Sequence, residues 1–523
     1  MGWAGFRQGG SGANVAFDLT DITAKRAMLC GNRPALVDIT SGQHVTYSQL
    51  DERAARVAGL LILHGIKAGD RVAVLCRNRI AFFELLFGCA KLGAILVPLN
   101  WRMPPAELLP LVQDCTPTLI AFGQEDEDAA RAIAGNTLLL ALDGATAAGY
   151  EGRMARVSPI ESRAIWPQDD AWYLIYTSGT TGVPKGVIYT YGMAMANYVN
   201  ISQAIDLRQG ETTLNFLPLF HTAGINLHTL PALMSGGQVL VMPGFDVDRL
   251  VDLLAAGRID TLFGIPSVYQ ALSQHPRFQG LDLARVRHWG CGGATLSDPL
   301  IRLFLKQGAR VCNGMGMTET GPTAFLMDPE NAPLKIGSVG KPQLLCEVRI
   351  TGWDGRDVVQ GESGEIWFRG PGITPGYWRK PQETAAAFSP GGWLRSGDIG
   401  WQDEDGYYYV AGRIKDMFIS GGENIYPAEV ENVLVQHPAM LEAAVLGVPD
   451  EHWGEVGRAY LILRPGMIPP DEAELIRFCR ERLARFKVPK SFVIRSNYPR
   501  TAAGRIHKHL LRQQEGLTSD AAR

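Results

Sequence analysis

The stretch Tyr176-Thr-Ser-Gly-Thr-Thr-Gly-Val-Pro-Lys185-Gly186 constrains this chain more than any other. It follows the apolar run Ala171–Ile175 and crowds hydroxyl residues, glycines and one lysine into a short loop. A strand that empties into such a loop presents backbone N–H groups and hydroxyls, the donors a polyphosphate needs. A plain surface loop is the competing reading. Six small or hydroxyl residues plus a lysine directly after a strand weigh against it. The loop is not G-x-x-x-x-G-K-[ST], because Lys185 is followed by Gly186 and no Ser or Thr stands ready for Mg²⁺.

At 523 residues the chain exceeds one ordinary core and should divide into at least two domains. With 46% hydrophobic and 20% charged residues it has the composition of a soluble globular protein, and 59 Gly with 31 Pro make it loop-rich. A net charge of −3 offers no basic stripe for nucleic acid. The eight cysteines (30, 76, 89, 115, 291, 312, 346 and 479) form no C-x-x-C pair, so reduced and mostly buried thiols in a cytoplasmic protein are expected. Met1–Ala16 lacks the basic start and apolar centre of a secretory leader. Phe82–Leu99 is greasy but holds Glu84 and Lys91, which reads as a buried helix running into a strand and not as a membrane span.

Between Asp51 and Leu296 short apolar runs alternate with helical periodicity, the pattern of parallel α/β layers. Expected strands are 71–76, 94–99, 118–122, 238–242 and 261–265; expected helices are 48–64, 105–114, 193–205 and 247–256. Runs 346–351, 364–369 and 407–410, separated by Gly and Asp turns, suggest a small antiparallel subdomain. After Arg413 the pattern becomes a compact α+β unit of about a hundred residues, an ordinary domain size. Its elements are a helix at 426–435, strands at 443–447, 458–463 and 491–494, and a helix at 471–484. The boundary falls in Gly412–Asp416, giving a large domain 1–413 and a small domain 414–523 whose tail after Arg512 is polar.

The glycine-rich loop resembles the phosphate-binding signature of AMP-forming adenylating enzymes, and further motifs follow in that family's order from about Thr46 to Leu511. Leu217-Pro-Leu-Phe-His221-Thr-Ala-Gly224 matches P-L-[FY]-H-x-x-G, where the imidazole lies beside the substrate carboxylate. Gly290-Cys-Gly-Gly293-Ala294 looks like the turn laid against adenine and the acyl group, and glycine suits such close approach. Asn313-Gly314-Met315-Gly316-Met-Thr318-Glu319 resembles G-Y-G-M-T-E; the resemblance puts Thr318 on phosphate and Glu319 on Mg²⁺, a hard cation suited to carboxylate oxygen. Met315 replaces the usual aromatic on adenine, and its polarizable sulfur can still pack on a ring. Trp393-Leu-Arg-Ser-Gly-Asp398 and Gly412-Arg413-Ile-Lys415 resemble the ribose-binding pair and the hinge, with Ser396 in a threonine place. Near the C-terminus, Pro499-Arg-Thr-Ala-Ala-Gly-Arg505-Ile-His-Lys508 resembles a segment whose lysine bridges carboxylate and α-phosphate; here that position is Arg505. A guanidinium fork is not a compact ammonium, and Lys508 is the other cation at hand.

By the same resemblance, Thr177, Ser178, Gly179, Thr180, Thr181, Gly182 and Lys185 would hold the phosphates of ATP. Gly421 and Gly422 would line a pantetheine channel, and Arg102, Trp453, Phe486 and Lys490 would contact coenzyme A, with Val488 where one aryl-acid pattern has arginine. The implied enzyme is an acyl-CoA synthetase with ATP, Mg²⁺ and CoA as its reactants and helpers. Its acid would be aromatic or a medium- to long-chain fatty acid, and its partners small molecules, with a homodimer as one assembly. Two alternatives stand beside it: delivery of the acyl group to a carrier protein, and a weakly catalytic nucleotide-binding member.

Overall fold

The structure is a computed structural model and describes residues 18–144, 149–177, 184–294, 296–500 and 506–517. Two mostly parallel sheets form the body. In the first, the strands Val311–Met315, His288–Cys291, Thr261–Gly264, Thr212–Asn215, Gln238–Val241 and Pro34–Asp38 run parallel in that spatial order, with short antiparallel strands at both edges. In the second, Leu138–Ala141, Leu119–Phe122, Arg71–Leu75, Ile95–Pro98 and Ala171–Thr177 are parallel, and Lys185–Thr190 turns back antiparallel on the last. The near-continuous burial of these strands is what sheets covered on both faces require.

In the large domain most expected and observed elements agree to within a residue or two, but the expected strand 407–410 continues to Arg413, and in the last unit the expected helix 471–484 is shorter, Glu472–Arg480. Helix Tyr47–Leu63 begins one residue before the expected Ser48 because Thr46 caps it: the Thr46 side chain accepts from Gln49 N, and the Gln49 side chain accepts from Thr46 N. The greasy run is helix Ile80–Leu92 followed by strand Ile95–Pro98. Its two charges are buried and paired. Glu84 accepts from Arg53 and from Tyr150, and the Lys91 ammonium sits 2.6 Å from both Asp21 and Asp51. Among the described residues no helix is long and apolar enough to cross a membrane. Seven of the eight cysteines are buried and Cys346 is half-buried.

The four strands Glu347–Thr351, Gly364–Arg369, Leu394–Gln402 and Tyr408–Arg413 make a fully antiparallel sheet. A last sheet, built from residues between Phe418 and Ile494, has strand Gly454–Leu463 at its centre, paired in a hairpin with the edge strand Met440–Asp450, with helices Pro427–Leu434 and Glu472–Arg480 packed into one core. The hairpin strands are longer than the sequence pattern suggests, since polar ends continue the ladder past the apolar middle. A single 3₁₀ turn, Ile414–Asp416, joins this unit to the rest.

Candidate active site

The hairpin Ala171–Thr177/Lys185–Thr190 sets the site. Thr177 pairs directly with Lys185, so both stand at the carboxyl edge of the parallel sheet, where open α/β sheets bind ligands. Residues 178–183, which include Ser178, Gly179, Thr180, Thr181 and Gly182, lie outside the described residues, as does Arg505.

Segment Thr374–Trp378 closes on this hairpin. Ile188 N donates to Gly376 O and Trp378 N to Gly186 O, which brings the Tyr377 ring 5.1 Å beneath the Lys185 ammonium. The Tyr377 hydroxyl then donates to Glu319 Oε1 at 2.9 Å. Nothing in the sequence marked Tyr377. Its role is visible only once Gly376 and Trp378 bridge to the hairpin edge.

Glu319 is buried in the short turn Thr318–Thr320, and burial holds its carboxyl above the usual range. The Tyr377 hydrogen bond and the charges of Arg413 and Lys185 pull in the opposite direction. A buried anion with a tyrosine hydroxyl on one oxygen and cations only at a distance suits a hard divalent cation. Thr318 is fixed from behind, where Tyr189 donates 2.5 Å to its carbonyl and shares a hydrogen bond with Thr222. Gly316 is obligatory, because a Cβ there would stand 1.7 Å from Pro322 O.

In the first sheet, Asn313, Gly314 and Met315 stand at the carboxyl end of the strand Val311–Met315, just before the Thr318–Thr320 turn. Asn313 is buried and its Oδ1 has no hydrogen-bond partner among the described residues, so an acceptor is left for a ligand's amine. Met315 is half-buried against Phe325. Gly293, in the left-handed region at φ +83°, and Ala294 are exposed at the end of strand His288–Cys291. His221 caps helix Thr222–Asn226, with Nδ1 accepting from Ala223 N at 3.2 Å. Asn78 ties this loop to the second sheet through Leu217 O and Leu219 N.

Asp398 and Arg413 are direct cross-strand partners, and Arg413 Nε meets Asp398 Oδ1 at 2.9 Å. Sequence alone placed them in separate motifs; the antiparallel register makes them one unit. Lys415 is exposed in the turn beyond it. Helix Pro427–Leu434 lies against the end of that strand, with Tyr426 and Ala428 approaching Gly412.

The residues singled out for coenzyme A fall in two groups. Trp453 covers Gly421: Gly421 N donates to Trp453 O, and a Cβ at Gly421 would lie 2.7 Å from the indole, so only glycine fits. Gly422 is exposed beside it at φ +87°. Asp450 turns the chain into Trp453 and feels the charge of Lys490, while the Phe486 ring is exposed. Arg102 belongs elsewhere, stacked on Trp101 at 4.9 Å and near Phe220, with Arg77 on the same indole at 4.0 Å. Lys508 is engaged by Glu431 at 2.7 Å.

The AMP-binding enzyme family matches residues 23–378, and the AMP-binding enzyme C-terminal domain matches residues 429–505. The chain belongs to the AMP-binding enzyme family. It is 40% identical over 483 residues to a feruloyl-CoA synthase from Amycolatopsis sp, covering 91% of this chain and 95% of that relative. An indoleacetate–CoA ligase from Aromatoleum aromaticum is 37% identical over 476 residues (90% and 93%). A long-chain-fatty-acid–CoA ligase from Mycobacterium tuberculosis is 34% identical over 497 residues (94% and 98%). The o-succinylbenzoate CoA synthetase of Bacillus subtilis holding its acyl-adenylate intermediate superposes with a TM-score of 0.85 at 30% identity, covering 97% of this chain and 99% of that one. The same enzyme with ATP and magnesium gives 0.84 at 31% identity, covering 95% and 100%. This family member is an AMP-forming acid–thiol ligase.

Proposed function

We propose that this ligase activates an aromatic carboxylic acid with ATP and passes the acyl group to coenzyme A, releasing AMP and pyrophosphate. The observation that carries the reading is the chain of contacts from Lys185 through the Tyr377 ring to Glu319, with Arg413 of the Asp398–Arg413 pair near enough for its charge to act on Glu319. The aromatic choice is supported by the two relatives at 40% and 37% identity, both named for aryl acids, while the fatty-acid relative stands at 34%.

A carboxylate is a poor acyl donor because its leaving group would be oxide. Attack of one carboxylate oxygen on the α-phosphorus forms a new O–P bond, breaks the bond to pyrophosphate and yields a mixed anhydride. The thiol then attacks the acyl carbon, loses its proton and expels AMP. The first step joins two anions, so directed donors and positive charge dominate the catalysis. Lys185 and the loop it closes supply them from the large domain, and Arg505 supplies them from the small one. Asp398, an acceptor-only carboxylate, is suited to ribose hydroxyls. The orphaned Asn313 oxygen is suited to the adenine amine. Bound at Glu319, Mg²⁺ would neutralise phosphate charge.

The division at 413/414 into an adenylation domain and a mobile lid is part of this proposal. The lid turns about Lys415 to present Arg505 first and the Gly421–Trp453 face second, a gating motion. The reading includes a cytoplasmic protein acting on small molecules, as a monomer or homodimer. Pyrophosphate exchange with a panel of aryl and alkanoic acids tests the first half-reaction, and acyl-CoA formation with free CoA tests the second. No exchange with any acid would sink the proposal. Exchange without acyl-CoA would point to a carrier-protein acceptor.

A further inference from the structure

One polar feature near the glycine turn takes no part in the chemistry above. On strand His288–Cys291 the side chains two residues apart share a face, so His288 and Gly290 look the same way. The register partners of these residues on the adjacent parallel strand are Thr261 and Phe263. A Cβ at Gly290 would stand 2.6 Å from the Phe263 ring and one at Gly292 2.8 Å from it, so the two glycines make room for that ring. His228, which follows the His221 helix and precedes helix Thr229–Ser235, covers the same face. Its imidazole lies edge-on to Phe263 at 5.6 Å and 5.7 Å from the His288 ring.

Both imidazoles are buried, at 6% and 2% exposure. Burial drives His228 down to about 3; it drives His288 down as well, with the neighbouring His228 and Arg287 adding to the effect. Each ring is therefore neutral at ordinary pH and carries one N–H donor and one bare acceptor nitrogen. His228 Nδ1 and His288 Nε2 are buried without a hydrogen-bond partner among the described residues. An unmet buried polar atom costs about 1–3 kcal/mol. A purely aliphatic tail would leave both unmet. A second carboxylate would need a cation, and the nearby Arg287 is taken by both oxygens of Glu211 and by Ile205 O.

We propose that His228 and His288 form the far end of the acyl pocket and select a neutral hydroxyl on the distal edge of an aromatic acid. This rests on the aryl-acid reading above and narrows it. A hydroxyl both donates and accepts, which matches one bare nitrogen and one N–H. His288 lies four residues before Gly292, about 13 Å along the strand at ~3.3 Å per residue, so the pair is remote from the reacting end. Phe263 lies between them as an apolar wall for the ring.

The test compares kcat/KM for 4-hydroxycinnamate, 4-methylcinnamate and cinnamate in the intact enzyme and in His228→Leu and His288→Leu, with octanoate as a control, all read by pyrophosphate release. The intact enzyme should favour the hydroxylated acid at least about tenfold over both analogues, because a site built to bond a hydroxyl rejects substrates that lack it. Each leucine variant should bring that ratio to within about threefold, by loss on the hydroxylated acid alone. Equal use of all three cinnamates by the intact enzyme would overturn this inference and leave the aryl-acid reading standing. Turnover of octanoate alone would overturn both. A leucine variant that keeps the intact ratio would also overturn the assignment. If a leucine variant fails to fold, the ratio in the intact enzyme still decides.

Discussion

Deleting one oxygen from Tyr377 probes the electrostatics of the site. The hydroxyl donates 2.9 Å to Glu319, a buried carboxylate that burial makes hard to ionise. Tyr377→Phe keeps the ring, and with it the surface 5.1 Å beneath the Lys185 ammonium, and removes only the hydrogen bond. A hydrogen bond to a charged group is worth about 1.5–3 kcal/mol. At 1.36 kcal/mol per tenfold, the pyrophosphate-forming half-reaction should slow by about 10- to 150-fold on the acid limb of its pH profile.

The direction follows from the signs. The Tyr377 bond lowers the Glu319 pKa, so losing it lets that pKa climb further, and the proton stays on to higher pH. The acid limb of kcat/KM should therefore move to higher pH. The deficit should shrink at alkaline pH, where Glu319 is ionised in both forms. Pyrophosphate exchange from pH 5 to 9 at saturating magnesium measures this, with a thermal melt confirming that the variant is folded. An unmoved acid limb, or one displaced downward, would refute the claim that Tyr377 holds Glu319 ionised.

Three further expectations follow from separate parts of the molecule. Lys415→Pro should spare acyl-adenylate formation yet slow thioester formation at least about tenfold in stopped-assay half-reactions; equal losses in both would remove Lys415 as a hinge. Asp398→Ala should raise KM for ATP about tenfold or more while Arg413 keeps its place in the sheet, and an unchanged KM would take the pair out of nucleotide binding. Lys91→Met should cost about 3–5 kcal/mol by stranding Asp21, a value to be read from denaturant melts. Lys91 helps hold the Asp21 pKa below its usual value, so this contribution exists above the unfolded pKa and is lost as pH falls through the folded one. The stability gap between wild type and variant should therefore close in acid, and a gap that widens there would contradict the assignment.

What could be read in the chain, and what could not, divides along physical lines. Strand and helix positions were legible because burial imposes periodicity: the run Phe82–Leu99 announces a buried helix and strand by its grease, whereas the capping pair Thr46 and Gln49, which starts helix Tyr47–Leu63 one residue earlier than expected, shows only in the structure. Partnership was not. Asp398 and Arg413 are fifteen positions apart, and only the antiparallel register of their strands turns two motif residues into one ion pair. Glu84 and Lys91 read as interruptions of an apolar stretch because their counter-charges, Arg53 and Asp51 in helix Tyr47–Leu63 and Asp21 at the cap of helix Ile22–Cys30, come from elements whose packing against this run local periodicity does not show. Tyr377 shows the same limit at the site itself. Its chemistry depends on Gly376 and Trp378 adding to the edge of a hairpin nearly two hundred residues earlier. A long-range backbone ladder of that kind leaves no mark in spacing or composition. For a fold of this size, the side chains that tune the charged groups are therefore the ones local sequence reading is most apt to miss, since tuning requires a neighbour supplied from a distant part of the chain.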